Sequence, residues 1–283
     1  MSDISLTASA ALEATAEPAV QAAAVPGACL NCATPLSGGF CSGCGQSARQ
    51  ERLTVAHVAS DLVSQVLSLD GALLRTAVEM TTRPGGLIAD YVTGKRRRYV
   101  SPLAYLFFGT AAWLLLSNLY EAQMVAWMRD TMAQSESGFS LIFSPRQAEF
   151  YRTTLFTLSR QFTYTSILMG VPFALTIRLL FRNSGINLAE SFVFTLYAFG
   201  HAALLYAVAS TVLIVGLHAS VDVAMKASYA IYLAVCIHAA IGLFGSPVKS
   251  ALKSAAALVA GYLGFSVVFA LALLGYVALF VAP

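Results

Sequence analysis

Charged residues are scarce in this chain, at 11% of 283 residues, against about 25% in soluble globular domains. Hydrophobic residues instead make up 58%, and the mean hydropathy is +0.71. This composition excludes an ordinary soluble domain and predicts an integral membrane protein. The formal net charge is only +3, from 17 Lys and Arg against 14 Asp and Glu, which argues against bulk affinity for nucleic acid.

Catalytic motifs are also lacking. The sequence shows no Gly-rich phosphate loop, no Ser/His/Asp arrangement and no carboxylate in the middle of a long apolar segment. Ionisable groups inside a membrane are costly and usually functional, so their scarcity gives an ion-driven transporter weak support. His201 and His238 are the candidates near mid-depth. They can face each other as a metal or haem pair or a proton relay, or they can simply hydrogen-bond between helices.

The N-terminal 27 residues lack the basic start and apolar core of a signal peptide. They are rich in Ala, with scattered Ser, Thr, Glu and Pro, and they offer few large side chains for burial. Burial of that kind is what offsets the entropy of ordering a chain. We therefore predict a disordered tail over residues 1–27.

Four of the five cysteines form two Cys-x-x-Cys pairs, at Cys29, Cys32, Cys41 and Cys44. Each pair puts two thiolates on one tight turn, and two facing turns make the tetrahedral four-sulfur cage of structural zinc. A redox dithiol pair, a disulfide pair and a rubredoxin-type iron site are the alternatives. We predict a zinc ribbon over residues 28–47, with Phe40 packed under the turns. No further donor lies nearby, so the zinc is expected to be structural.

Residues 53–101 are expected to form amphipathic helices. Apolar residues recur at spacings of three and four from Leu53 to Leu69. A second helix follows Gly71 and ends before Arg83, and a third covers Leu87–Val92. The predicted apolar face of the second helix comprises Leu73, Leu74, Ala77, Val78 and Met80. These helices can form a small self-packed bundle, or they can lie on the bilayer surface and carry the ribbon.

A run of four cations precedes the first long apolar segment, at Lys95, Arg96, Arg97 and Arg98. Inserting each of these cations at the centre of a membrane-spanning helix costs roughly 2.5 to 3.5 kcal/mol of free energy. The run is therefore expected at the headgroup level on the cytoplasmic side. It can serve as a topology anchor alone, or it can bind anionic lipid headgroups or nucleic acid.

The apolar remainder, residues 102–283, divides into spans close to the required ~20 residues. The predicted spans are Pro102–Tyr120, Phe162–Phe181, Ser191–Leu217, Ala224–Phe244 and Ala255–Ala282. Cations mark the ends predicted to be cytoplasmic, at Arg178, Arg182, Lys249 and Lys253. The sequence therefore predicts an all-α membrane protein of five transmembrane helices with a cytoplasmic N-terminus, a periplasmic C-terminus and a small N-terminal zinc ribbon.

Several short motifs occur in order between Cys29 and Pro102. They are Cys-x-x-Cys-x-x-Pro-Leu-Ser-Gly-x-Phe-Cys-x-x-Cys-Gly-Gln (Cys29 to Gln46), Leu69-Asp70-Gly71-x-x-x-x-Thr76, Arg83-Pro84-Gly85, Asp90-Tyr91 and Gly94-Lys95-Arg96-x-x-Tyr99-Val100-x-Pro102. Together they resemble a family of bacterial inner-membrane proteins catalogued only as a domain of unknown function. The resemblance implies a zinc-ribbon head on a multi-span domain, and it implies no established activity. Ala33 departs from the Gly often found after the second cysteine of such ribbons.

The function predicted from these features is an interaction, assembly or regulatory protein of the inner membrane. Its expected associates are the lipid bilayer and a cytoplasmic protein bound through the ribbon, and a nucleic acid partner is not favoured. The alternative is a small-molecule transporter or permease with a path among spans two to four, and a weaker alternative is a membrane enzyme using His201 and His238. The first hypothesis depends on the four cysteines, whereas the others depend on the spans.

Overall fold

The computed structural model describes residues 27–49, 52–55, 71–134, 150 and 162–280. Nearly all of the predicted disordered tail and most of the first amphipathic helix lie outside the described residues. The α-helices of the described part are α1 (Ala72–Thr82), α2 (Pro84–Val92), α3 (Pro102–Ser117), α4 (Glu121–Gln134), α5 (Phe162–Leu180), α6 (Leu188–Thr211), α7 (Val221–Phe244) and α8 (Pro247–Phe280). Short 3-10 turns join α3 to α4 and follow α5, and a π-turn extends α6 to Gly216.

Four helical segments of the described chain are long and apolar enough to cross a membrane. They are Pro102–Thr131, Leu188–Gly216, Val221–Phe244 and Pro247–Tyr276. The second predicted span corresponds to α5, whose described apolar part is the shorter stretch Leu168–Leu180. The prediction of a helical chain with several candidate spans is therefore confirmed, while the count of five stays a prediction.

Helix α6 begins before the predicted Ser191 because a capping box fixes its first turn. The side chain of Asn187 accepts from the backbone N–H of Glu190 over 2.8 Å, and the Glu190 carboxylate accepts from the backbone N–H of Asn187 over 2.7 Å. Two donors that a helix start leaves without intrahelical partners are satisfied in this way. Asn187 and Glu190 therefore begin the helix about one turn before the start that hydropathy alone predicts.

Helices α3 and α6 pack in parallel, with small residues at their crossing. A Cβ placed on Gly109 would lie 2.1 Å from the carbonyl oxygen of Gly200, so the two backbones are in direct contact. Further along, the hydroxyls of Tyr120 and Ser210 hydrogen-bond over 2.8 Å. Close approach at small residues is the usual basis of helix association in membranes, where apolar burial gives little driving force.

The short helix α2 is part of the same core as the long helices. Leu87, Ile88 and Tyr91 are fully buried there. A Cβ on Gly85 would lie 2.1 Å from the backbone carbon of Gly242 in α7, so the Arg83-Pro84-Gly85 motif seats α2 directly on that helix. The described juxtamembrane helices therefore pack into the helical domain and do not form a bundle of their own.

Helix α1 buries only part of the predicted apolar face: Met80 is buried and Leu73 and Ala77 pack against the core, but the other two residues of that face are exposed. Leu74 is 71% exposed and Val78 is also exposed, whereas the polar residues Thr76 and Glu79 are buried. The Thr76 hydroxyl accepts from the backbone N–H of Val100 over 3.1 Å, and Glu79 receives cationic and phenolic donors. Because these partners satisfy both polar groups, the helix can turn two apolar side chains outward.

The ends of α5, α7 and α8 meet near the start of α6. The rings of Phe181 and Phe244 stack with their centroids 4.0 Å apart, and the ammonium of Lys253 lies 5.1 Å from the Phe181 centroid. Each of the long helices therefore has one terminus at this end of the domain, which is also where the cysteine segment lies.

A candidate metal centre docked on the basic loop

The two Cys-x-x-Cys turns have the same backbone hydrogen bonds. Cys29 N–H donates to the carbonyl of Thr34, and Cys41 N–H donates to the carbonyl of Gln46, each over 2.8 Å. The equivalent residues Ala33 and Gly45 also return bonds of 2.8 Å to the carbonyls of Cys29 and Cys41. Both residues adopt left-handed φ values, 61° and 70°. The sequence motif thus folds as two copies of one turn, and the second copy has Gly where the conformation favours it.

The four thiol groups converge on one point. All four Sγ atoms lie within 4.8 Å of one another, with Cys29 to Cys44 at 3.6 Å and Cys32 to Cys41 at 3.5 Å. A tetrahedral zinc ion with Zn–S bonds near 2.3 Å needs sulfur atoms about 3.8 Å apart. The cysteines are free of disulfides. The arrangement confirms a four-cysteine cluster compatible with a metal ion, and its donor set suits a soft, thiophilic one.

The thiols differ in acidity because their surroundings differ. The hydroxyl of Thr34 lies 3.2 Å from the Cys32 sulfur, and hydrogen bonds from Thr34 lower the pKa of Cys32 to about 6. Burial raises the pKa of Cys44 to about 11. Thiolates are the metal ligands, so binding must release protons from this cluster, and metal affinity falls as pH falls.

Phe40 does not pack under the turns as predicted. Its side chain is 72% exposed, and Leu30 on the other turn is 42% exposed. Phe40 pairs with Ser47 through an isolated antiparallel bridge, as Ala28 does with Pro35. The segment is too small to cover a phenyl ring, and segments of this size commonly rely on a bound metal ion in place of a hydrophobic core.

Gln46 joins the cysteine segment to the basic loop. Its side-chain amide donates to the carbonyl oxygen of Gly94 over 2.9 Å, and its amide oxygen accepts from the backbone N–H of Arg97 over 3.3 Å. The residue is only 5% exposed. The second cysteine turn is therefore held against the loop that leads into the first candidate span.

A second attachment lies just after the cysteine segment. The guanidinium of Arg52 donates to both carboxylate oxygens of Glu190, at 2.9 and 3.2 Å, and to the carbonyl of Gly185 at 2.9 Å. The Asn187 amide donates to the carbonyl of Leu53 over 3.3 Å, and the Leu53 side chain is buried in the main core. The head is thus attached to the start of α6 as well as to the basic loop.

The basic run pairs with two acidic residues of α1 and α2. Lys95 donates to Asp90 over 2.7 Å, and Arg98 donates to Glu79 over 2.9 Å. Arg83 contacts both carboxylates, and the hydroxyl of Tyr99 lies between them, 2.8 Å from Glu79 and 3.1 Å from Asp90. The basic run that was predicted to be an anchor therefore also supplies cations to a network of ion pairs.

These contacts change the acidity of both carboxyls. Burial by itself raises the pKa of Glu79, but hydrogen bonds from Tyr99 and Arg98 and the nearby guanidinium charges outweigh burial and hold it below the usual range. Burial likewise acts to raise the pKa of Asp90, and the bonds from Lys95 and Tyr99 lower it on balance. Both groups are therefore ionised at neutral pH, as the paired cations require.

The two candidate histidines lie in different surroundings. His201 is buried in α6, with Nδ1 2.9 Å from the hydroxyl of Tyr105 and Nε2 3.3 Å from the hydroxyl of Thr81. His238 on α7 is exposed. The contacts of His201 match the hydrogen-bonding alternative, since they tie α6 to α3 and α1. A shared metal or proton site with His238 stays a prediction.

At the opposite end of the helical domain, a cavity of about 220 Å³ opens between α3, α4, α6 and α7. Both tryptophans of the chain, Trp113 and Trp127, line it together with Tyr206 and Tyr232. Sequence reasoning missed this cavity, because the residues that form it come from three separate parts of the chain. It also missed Glu79, Asp90 and Gln46 as attachment residues, although Gln46 directly follows the Cys-Gly of the second turn.

Residues 70–113 match a family described as "Protein of unknown function (DUF3667)". The matched stretch runs from the start of α1 through the basic loop into α3. The stretch contains Gly94 and Arg97, whose backbone groups hydrogen-bond to the side chain of Gln46. It also contains Glu79 and Asp90 with the cations that pair with them. No curated protein and no solved structure matches the chain. The predicted resemblance to a domain of unknown function is thus confirmed for this part of the chain.

Proposed function

We propose that this chain is an integral protein of the bacterial inner membrane that recruits a cytoplasmic protein through a zinc-bound head. The head comprises residues 27–49, and its four cysteine sulfur atoms lie close enough together to hold one metal ion, which we propose is zinc. In this proposal the metal has a structural role: it fixes two turns that lack a hydrophobic core of their own. Recruitment requires a head that is held in place and a side chain that a partner can bury.

The observation that carries the proposal is the contrast between Gln46 and Phe40. Gln46 is buried against the basic loop, while Phe40, six residues earlier on the same turn, is 72% exposed. A large apolar side chain presented by a rigidly docked segment is typical of a protein-binding surface, where a few aromatic anchors supply most of the affinity. Leu30 adds a second exposed apolar side chain on the first turn.

The cationic residues support a cytoplasmic position for the head. Lys95 to Arg98 precede α3, Arg182 follows α5, and Lys249 and Lys253 lie in the first turns of α8. These positions are all at the end of the helical domain that carries the cysteines. An excess of Lys and Arg at one end favours that end on the cytoplasmic side, with the C-terminus of α8 on the other side.

The path of the chain supports five spans. Helix α3 leaves the cysteine end, and α4 contacts the far ends of α6 and α7 through Met124 and Trp127. Phe181, at the end of α5, is back at the cysteine end beside Phe244. The chain must cross between these points, and α5, with 19 residues, is long enough to do so.

The proposal is tested by purification from native membranes in a gentle detergent. Phe40→Ser is compared with Leu74→Ser, a matched change at a residue equally exposed on α1, and with Cys41→Ser. We expect one stoichiometric protein partner with the intact chain and with Leu74→Ser, loss of the partner but retention of zinc in Phe40→Ser, and loss of both in Cys41→Ser. A partner that persists in Phe40→Ser, or no partner with the intact chain, overturns the proposal.

A further inference from the structure

The cavity at the far end of the domain is built mainly from electron-rich groups. Two tryptophan and two tyrosine rings line it, and three methionine thioethers join them, from Met124, Met128 and Met225. Among the described residues that line the cavity, Glu121 is the charged one, and it is acidic. Aromatic faces, thioether sulfur and carboxylate oxygen all attract positive charge, and none of them favours an anion.

The hydroxyl and amide groups of the lining contribute mostly acceptors. The hydroxyls of Ser117 and Ser228 already donate to helix carbonyls, over 2.9 and 2.6 Å. The amide of Asn118 donates to a helix carbonyl over 2.9 Å, and the hydroxyl of Tyr206 donates to the Met225 sulfur over 3.5 Å. With these donors engaged, the lone pairs of the same oxygens remain for a ligand that brings its own N–H or polarised C–H groups.

Tyr232 adds an independent sign of a ligand. Its ring packs edge-on against Phe199, with the centroids 5.5 Å apart, and its hydroxyl is buried with no hydrogen-bond partner among the described residues. Buried polar atoms are almost always satisfied, so an unpartnered hydroxyl in a cavity wall is a hydrogen-bonding group that a bound ligand can use.

The size of the cavity selects the class of ligand. A dry cavity of about 150 Å³ holds a benzene-sized molecule, so 220 Å³ suits a slightly larger one. A single metal ion would leave most of this volume empty. We propose that the cavity binds a small organic ammonium cation. Its ammonium group lies near Glu121 and the aromatic rings, and its apolar substituent lies between the methionines. This site is independent of the cysteine head and of the partner proposed for it.

The two tryptophans make the proposal directly measurable. Because Trp113 and Trp127 are the only tryptophans of the chain and both line the cavity, intrinsic fluorescence reports occupancy. The purified full chain in a neutral maltoside detergent is titrated with benzyltrimethylammonium, and separately with benzyl alcohol and benzoate. We expect a saturable change with the cation at a concentration at least tenfold lower than with the neutral or anionic probe. An equal response to all three probes overturns the proposal.

Variants locate the site. Glu121→Gln is expected to weaken binding of benzyltrimethylammonium at least fivefold, whereas Asp222→Asn, a matched change at an exposed acid paired with Lys226, is expected to leave it unchanged. Trp127→Leu, which removes one aromatic face and leaves Trp113 as reporter, should weaken it at least threefold. Thermal unfolding checks that each variant is folded. Unchanged affinity in folded Glu121→Gln and Trp127→Leu overturns the assignment.

The same chemistry can come from a free amine or from a lipid headgroup, and competition separates the two. Short-chain phosphatidylethanolamine carries an ammonium group, whereas short-chain phosphatidylglycerol does not. If phosphatidylethanolamine displaces the probe and phosphatidylglycerol does not, the natural ligand is a lipid headgroup that carries an ammonium group. Failure of both lipids to displace a probe that binds saturably assigns it to a soluble cation.

Discussion

The amide of Gln46 bonds to the backbone of Gly94 over 2.9 Å and so connects the cysteine head to the segment entering the first candidate span. The two residues are 48 positions apart in the chain. A second bond, from the N–H of Arg97 to the amide oxygen, makes the contact bidentate. At this contact the basic run contributes only backbone atoms, so substitutions of its side chains by residues other than proline leave the contact in place.

Replacing Gln46 should loosen the contact between the head and the basic loop without emptying the metal site. Gln46→Ala leaves two backbone groups unpaired at a buried contact, which costs about 1 to 3 kcal/mol. Gln46→Glu keeps the acceptor for Arg97 but places a carboxylate against the carbonyl of Gly94. We expect faster amide hydrogen exchange over residues 94–98 in both variants, with zinc content unchanged and Ser42→Ala as the control. Exchange like that of the intact chain would contradict the proposed attachment.

Ala33 adopts a left-handed backbone conformation, and the equivalent residue of the other cysteine turn is Gly45. Such a conformation costs an alanine about 1 kcal/mol. Ala33→Gly should therefore tighten zinc binding up to roughly fivefold, because metal binding and folding of the head are coupled. Gly45→Ala should weaken binding by a similar factor. Competition with a chromophoric chelator measures both, and the same sign for the two changes would refute the equivalence of the turns.

Adding a methyl group at the crossing of α3 and α6 should destabilise the helical domain. Gly109→Ala places a Cβ 2.1 Å from a backbone oxygen, and neither atom can move without separating the helices. We expect a loss of about 1 to 3 kcal/mol or more, seen as a lower Tm in detergent. Gly275→Ala is the control, because nothing lies within 4 Å of its added Cβ. Equal Tm values would show that this contact is not tight.

Acid should weaken the charge network around Tyr99. The pKa values of Glu79 and Asp90 are lowered in the folded chain. Their contribution is fully present above the ordinary carboxyl range near 4 and is lost as pH falls through the lower folded values. Tm measured from pH 7 to pH 3 should therefore be steady down to about pH 5 and fall below about pH 4.

Glu79→Gln provides the test of that assignment. The variant should be less stable at pH 7 by about 1 to 2 kcal/mol, a discounted figure because the Arg83 and Arg98 side chains are 45% and 43% exposed. It should also lose part of the acid dependence, while Asp222→Asn keeps all of it. An intact acid transition in Glu79→Gln would place the titrating groups elsewhere.

The sequence predicted the features that depend on local pattern. Cysteine spacing located the four-cysteine cluster, and hydropathy located the ends of the long helices to within a turn, except that α8 begins at Pro247 and not at the predicted Ala255. It failed where a polar residue has a distant partner. Thr76 and Glu79 lie outside the predicted apolar face of α1, yet they are buried, because Arg98, Tyr99 and the backbone of Val100 satisfy them. Phe40 read as core, yet the head contains too few side chains to cover it.

The attachment through Arg52 has a consequence for synthesis. Its partner Glu190 is 138 residues further along the chain, so at ~5 to 20 residues per second a ribosome needs roughly 7 to 28 seconds to supply it. The cysteine turns can bind metal as soon as they emerge, but the head cannot reach its final seat until the start of α6 has been made. Attachment of the head at α6 is therefore a late event that follows synthesis of the preceding helices, and a chain that stalls before α6 holds its head through Gln46 but not through Arg52.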